Sequence, residues 1–419
     1  MGSESAVLFQ NDSRTTAILD LPRSIEEAQV LSSQLSSVGK PKKAPVRRLV
    51  SALPPASPFV TPEPKKRGRE PLLPTSSARH QLDELMSLAA VESALQDIAQ
   101  SGYSGPWCLP RCLPPPSSMT PRHREKEAKT ETARATEPAA LVVAEARRGT
   151  GECDTVPAPA PVPATPSTTG IDSFSSTDDA SYFIPDASRY FLGTIESQRE
   201  AFLSAAAPES LGLIVMDPPW PNRSAKRKRG AYQPADGFGS IRTMLSLIPV
   251  ASHLAPGGLV AVWVTNSEKS VDLLTSSPQG GGGVFAAWDV ELVGEWTWLK
   301  VTSQGEPIVS LDSSWRKPWE RLLIARKRGG PKKQQPIHSK VIITVPDVHS
   351  RKPNLRRLFD ELLPPGYRAL EVFARSLTAG WLSWGDQVLL FQQKDHWLSD
   401  PAAVDAEENG NKPVENYVH

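Results

Sequence analysis

The chain has 419 residues, a formal net charge of +1, 39% hydrophobic residues and 41 prolines. A charge so close to balance excludes a chain-wide field for nucleic acid, so any electrostatic binding has to be local. The three cysteines all lie in the first half and complete neither a disulfide framework nor a zinc set, so no metal is expected. No apolar run approaches the length of a membrane span, and the N-terminus lacks a signal-peptide core, which points to a reducing intracellular compartment.

Composition divides the chain. Trp107 is the only tryptophan before Trp220, and proline runs such as Pro157–Pro163 fall in the first half. Residues 1–175 therefore read as a largely disordered region, 176–398 as the folded domain, and 399–419 as a disordered tail. Within the first part, Ser24-Ile25-Glu26-Glu27 fits a capping box followed by Ala28, Leu31 and Leu35 on one face. From His80 to Gln100, Leu82, Leu85, Leu88, Val91, Leu95 and Ile98 fall near helical spacing. Either stretch is a candidate for docking on the folded domain or on a protein partner. The basic clusters Lys40–Arg48 and Pro64–Arg69 fit a nuclear import signal or phosphate contacts, so the expected location is the nucleus, with the cytoplasm as a second compartment.

The folded domain begins with a strand at Arg189–Gly193 and a helix from Ser197 to Ala206. Next comes Leu211–Met216, too apolar for an exposed strand and so read as a buried parallel one. Pro218 and Pro219 cannot donate to a ladder, so the strand stops there. Asp217 is thereby delivered at a strand's carboxyl end, where open α/β sheets keep their ligands. Its carboxylate and the Pro218 carbonyl are two stiffly held acceptors, suited to both hydrogens of an exocyclic amino group. Trp220 supplies a face on which a flat heterocycle can stack.

After a basic loop, Lys226–Tyr232, a helix is expected from Ile241 to Leu254, ended by Pro256-Gly257-Gly258. A strand at Leu259–Val264 places Thr265 and Asn266 at its end. Gly280–Gly283 is followed by no Gly-Lys-Ser/Thr and reads as a flexible insertion rather than a phosphate loop. Strands follow at Val290–Val301, Trp319–Ala325 and Val341–Val345, with a polar, mobile loop from Ser303 to Lys317 beside the site. A helix at Leu355–Leu362 turns Arg356 and Arg357 outward, and Leu370, Val372 and Phe373 mark another buried strand that contains Glu371.

Asp217-Pro218-Pro219-Trp220 resembles the signature of the S-adenosylmethionine-dependent methyltransferases acting on the 6-amino group of adenine, the family of the messenger-RNA adenosine methyltransferase. The continuation Pro221-Asn222-Arg223-Ser224-Ala225-Lys226-Arg227 resembles its methyltransferase-like protein four branch. In patches from Tyr190 to Gln392, Lys317–Glu320 resembles the family's Lys-Pro-Tyr-Glu, His349–Pro353 its His-Ser-x-Lys-Pro, and Arg368–Arg375 its Leu-Glu-Leu-Phe-Ala-Arg strand. Trp298 and Lys300 also match, as a packing residue and a rim charge. Gly380–Gln387 resembles the family's Gly-Trp-x-Ser-Trp-Gly-Asn-(Glu/Gln) element, with Asp386 where Asn is usual.

The resemblance implies a Rossmann-like α/β methyltransferase fold in circularly permuted motif order, the Asp217 strand preceding the Glu371 strand. It implies S-adenosylmethionine as cofactor, met by Asp217, Lys352, Phe373, Arg375, Asp386 and Gln387, with Lys352 on the methionine carboxylate. Asp386 can accept from ribose hydroxyls but lacks the donor of Asn. Catalysis falls to Asp217, Pro218, Pro219 and Trp220, and the RNA or DNA around the target adenine to Asn222, Lys226, Arg227, Tyr232 and Asn266. Small nuclear RNA is the implied substrate, with DNA second. A non-catalytic scaffold of the same fold and a chromatin adaptor are the alternatives.

Overall fold

A computed structural model describes residues 5–31, 47–60, 77–114, 182–221, 237–276, 282–313, 316–330 and 335–399. In chain order the elements begin with β1 (Val7–Gln10), β2 (Thr16–Leu19), α1 (Leu21–Ala28), β3 (Arg47–Leu49) and α2 (Ala78–Gln100). β4 (Arg189–Leu192), α3 (Ile195–Ala205), β5 (Leu211–Met216), α4 (Phe238–Leu247), α5 (Val250–His253) and β6 (Leu254–Val264) follow. Then come α6 (Glu268–Thr275), α7 (Val284–Ala287), β7 (Val290–Lys300), β8 (Trp319–Lys327) and β9 (Lys340–Thr344). The last are α8 (Arg356–Asp360), β10 (Arg368–Val372), β11 (Leu382–Gly385) and β12 (Trp397–Ser399).

A ten-stranded sheet has the order β1-β2-β9-β7-β8-β6-β5-β10-β11-β4, and β3 pairs with β12 apart from it. All strands of the large sheet run the same way except β1 and β8. β5 lies between β6 and β10 and parallel to both, with Met216 level with Val262 on one side and Val372 on the other. Its run is buried on both faces: Ile214 and Met216 pack with Phe202, Leu245 and Trp384, and Leu213 and Val215 with Trp263, Trp298 and Phe359. Each fully buried aliphatic side chain contributes about 1.5–3 kcal/mol. A one-residue slip would exchange the two sets, so the packing fixes the register.

Because β6 and β10 leave β5 in opposite directions, the carboxyl ends of β5 and β10 meet at a switch point of the sheet. The α/β methyltransferase fold and its permuted order are as expected, with the Asp217 and Glu371 strands side by side.

In the described part of the first half both expected helices are present, and strands that were not expected accompany them. β1 and β2 extend the main sheet next to β9, and β3 pairs with β12 near the far end of the chain. α1 is capped by Asp20, which accepts from Arg23 N, rather than by Ser24, whose hydroxyl donates to the Leu21 carbonyl. α2, capped by Ser77, docks through Val91, Ala94 and Ile98 on Leu299, Trp319 and Ile343, while Leu82 and Leu85 are exposed. The residues between these pieces, including Pro64–Arg69, lie outside the described part, as does 400–419. Of the basic cluster Lys40–Arg48, Arg47 lies over the Phe183 ring and Arg48 pairs with Glu26 at 3.1 Å, so its last two cations serve the fold.

Three local expectations are also corrected. The helix expected over Ile241–Leu254 breaks at Pro249, and Leu254 already opens β6, which runs through Pro256-Gly257-Gly258. Arg356 is buried rather than outward, its guanidinium donating to the Glu27 and Ala28 carbonyls. The stretch after Val301 is held in its described part by buried Ile308 and Val309 and a bridge from Val301 to Pro307.

Candidate active site

The prolines end β5 as their missing donors require, and Asp217 stands at its tip beside Phe373 of the neighbouring strand end. Between these tips opens a cleft. Asp217, Lys352, Glu371 and Arg375 give it polar groups, and Ile25, Trp263, Phe373 and Trp381 give it apolar walls. Phe373 (φ 60°) and Ser350 (φ 66°), both on the cleft wall, hold left-handed backbone that side chains disfavour by about 1 kcal/mol or more. Such strain persists where the surroundings over-determine it.

The polar groups form a linked set. Lys352 Nζ lies 2.9 Å from Asp217 Oδ2 and 3.1 Å from Glu320 Oε2, and Lys300 Nζ donates to Glu320 Oε1. The Trp298 ring lies beneath both ammonium groups, at 4.4 Å from Lys300 and 5.8 Å from Lys352. Burial alone would raise the Glu320 carboxyl, but Lys352 and Lys300 outweigh it and hold it at about 2. Burial likewise favours neutral Lys352, yet Asp217 and Glu320 overcome it and push the ammonium above the usual lysine range. At Glu371, burial first and then Asp217 raise the carboxyl to about 8. At neutral pH Glu371 on the wall is therefore held protonated, while Glu320 behind Lys352 is ionised.

Asp217, Lys352, Phe373 and Arg375 are brought together as expected. Asp386 and Gln387 follow β11 on the same edge of the sheet but are not part of the cleft wall, and Asp386 is exposed. Asn222, Lys226, Arg227 and Tyr232 lie outside the described residues. Asn266 follows β6, and its Nδ2 donates to the Trp319 carbonyl at 2.6 Å, anchoring the start of β8 beside Glu320.

Trp220 offers no open face: it is 7% exposed, and its indole N–H donates to the Trp263 carbonyl at 2.7 Å. A buried indole needs such an acceptor, so the ring pins the loop after β5 to β6 instead of serving as a stacking platform. The Pro218 carbonyl accepts Trp220 N at 2.7 Å, which leaves it one further lone pair. Glu320 is the polar group that sequence reasoning missed, although Lys317-Pro318-Trp319-Glu320 had been singled out. Lys300 belongs to the linked set rather than to the rim.

The donor set fits a nucleoside joined to an amino-acid tail, with apolar walls for a heterocycle, carboxylates for hydroxyls or an ammonium, and cations for a carboxylate. This sheet, with an acid and two prolines at its switch point, is an S-adenosylmethionine-dependent methyltransferase fold. The MT-A70 family model matches residues 211–387, and the chain belongs to that family. It is 42% identical over 393 residues to the N6-methyladenosine RNA methyltransferase MTA1 of Cryphonectria parasitica, covering 94% of both chains. It is 33% identical over 229 residues to the N(6)-adenine-specific methyltransferase METTL4 of Homo sapiens, covering 52% of this chain and 45% of that one. With a DNA N6-methyl methyltransferase of Caenorhabditis elegans it shares 30% over 221 residues, or 52% of this chain and 56% of the other.

Proposed function

We propose that this chain transfers a methyl group from S-adenosylmethionine to the 6-amino group of adenine in RNA. The observation that carries the reading is Asp217 at the tip of β5, held by Lys352 against the cleft between β5 and β10. RNA is preferred to DNA because the relative that spans nearly the whole chain is named for RNA, whereas the one named for DNA matches about half of it.

Bound in the cleft, the cofactor would supply an electrophilic methyl on sulfur; the protein contributes position and field. Asp217 and the remaining lone pair of the Pro218 carbonyl accept the two amino hydrogens, which aims the nitrogen lone pair into the cleft. Lys352 holds Asp217 in place, and Glu320 with Lys300 fixes Lys352 in turn. After transfer the nitrogen is cationic and acidic, and its proton passes to the Asp217 carboxylate that already holds it. No stronger base is required. A base inside a duplex cannot reach this edge, so the substrate is single-stranded or flipped. Nuclear residence is part of the proposal and rests on Pro64–Arg69; a fluorescent fusion with those cations changed to Ser should lose nuclear enrichment.

Labelled S-adenosylmethionine with matched RNA and DNA oligonucleotides, digested to nucleosides, should give N6-methyladenosine from RNA. Asp217→Asn should lose at least about tenfold. Equal product from both proteins would refute the role given to Asp217.

A further inference from the structure

Helix α1 lies outside the span that the family model matches, yet its Ile25 forms part of the cleft wall. Two of the loops that bring polar groups to the cleft are tied to this helix. The loop after β9, which carries Lys352, is fixed where Asn354 N donates to Ser24 Oγ at 3.0 Å. The Arg356 guanidinium, just beyond it, donates to the Glu27 and Ala28 carbonyls at 2.6 and 3.3 Å. The loop after β10, which carries Phe373 and Arg375, is fixed where Gln29 Nε2 donates to the Leu377 carbonyl at 3.0 Å and Ala379 N to the Ala28 carbonyl at 2.8 Å.

These bonds use what a helix end leaves over. The Ala28 carbonyl takes both the Ala379 amide and the Arg356 guanidinium, and the Glu27 carbonyl takes the guanidinium beside its local bond from Val30 N at 3.3 Å. The helix itself cannot tilt freely. Glu26 is fully buried, paired with Arg23 at 3.0 Å and accepting from Leu49 N at 2.8 Å. Moving either loop away from α1 would leave buried donors or acceptors unmade.

We propose that α1 is a positioning element of the cofactor site. It holds the Lys352 loop and the Phe373–Arg375 loop at a set separation, Ile25 closes the space between them, and the affinity for S-adenosylmethionine follows from that spacing. The inference rests on reading the cleft as the cofactor site, and it places an affinity determinant some 190 residues before the matched span begins.

Full-length wild type, Ser24→Ala and Ile25→Phe are titrated with S-adenosylmethionine by calorimetry, with melting curves and oligonucleotide kinetics alongside. Ser24→Ala should weaken cofactor binding by about threefold to tenfold, the scale of one buried hydrogen bond. Its KM for the oligonucleotide, at saturating cofactor, should not move. Ile25→Phe, which narrows the cleft, should weaken binding at least as much while keeping a cooperative melt; should it fail to fold, Ser24→Ala decides alone. Binding by wild type with the same dissociation constant in the variants would overturn the role of α1 and leave the cofactor reading standing. Equal losses in cofactor affinity and oligonucleotide KM would mark a general defect and overturn it too. No binding by wild type would overturn the cofactor reading and this inference with it.

Discussion

Glu371→Gln tests the electrostatics of the cleft most directly. The Glu371 carboxyl is held at about 8 against the ordinary 4.5, so the folded state prefers the protonated acid. A group raised on folding lends stability that is fully present below its unfolded pKa and is lost as pH rises through the folded value. For Glu371 that loss begins above pH 4.5 and is complete above pH 8. The gap of about 3.5 units, at 1.36 kcal/mol each, sets a ceiling of about 5 kcal/mol. The cleft opens to solvent, which screens the carboxyl, so a loss of about 1–2 kcal/mol between pH 5 and pH 9 is expected. Glutamine keeps the shape of the protonated acid and does not titrate. Between those pH values the wild-type melting temperature should therefore fall by about 2–6 °C more than that of Glu371→Gln. Parallel profiles would refute the assigned environment, and a steeper fall in the variant would reverse its sign.

Lys352→Met removes the ammonium shared by Asp217 and Glu320. Because these side chains are 20–31% exposed, the usual cost of breaking a buried ion pair shrinks to about 1–3 kcal/mol in urea unfolding at pH 7, with methyl transfer reduced at least about tenfold. Unchanged activity would remove Lys352 from the mechanism. Trp220→Phe loses the indole donor to the Trp263 carbonyl and leaves a small void, a cost of about 1–2 kcal/mol in the urea midpoint. If oligonucleotide KM rises while stability holds, Trp220 contacts the base rather than the scaffold.

The strand carrying Asp217 was legible because its cues coincide: a short apolar run, then two residues that cannot donate to a ladder. Neighbourhood was harder. That β10 lies beside β5 follows from the family's motif order, since nothing in either run names its partner. The strands before residue 115 were missed for a physical reason, whereas the helix over His80–Gln100 was legible from its spacing. Val7–Gln10 and Thr16–Leu19 are four residues each, and such short strands take their stability from the sheet that they join. Asp20, placed three residues before Arg23, did mark the true start of α1, but the more familiar Ser-x-x-Glu pattern drew attention to Ser24. For Trp220 the fused ring was weighed without its N–H, which in a dry setting demands an acceptor and finds it in the Trp263 carbonyl. Glu320 opens a strand, where an acid looks unremarkable until Lys300 and Lys352 are seen on either side.

The pairing of β3 with β12 carries a consequence for biogenesis. Leu49 pairs with Trp397, more than three hundred residues further on, so during synthesis the early strand has no β12 to pair with until Trp397 has emerged. The same delay applies to the outer edge of β2, whose neighbour β9 is translated more than three hundred residues later. The edges of β2 and β3 thus stay open until their partners are made, and deleting either β3 or β12 should harm folding alike.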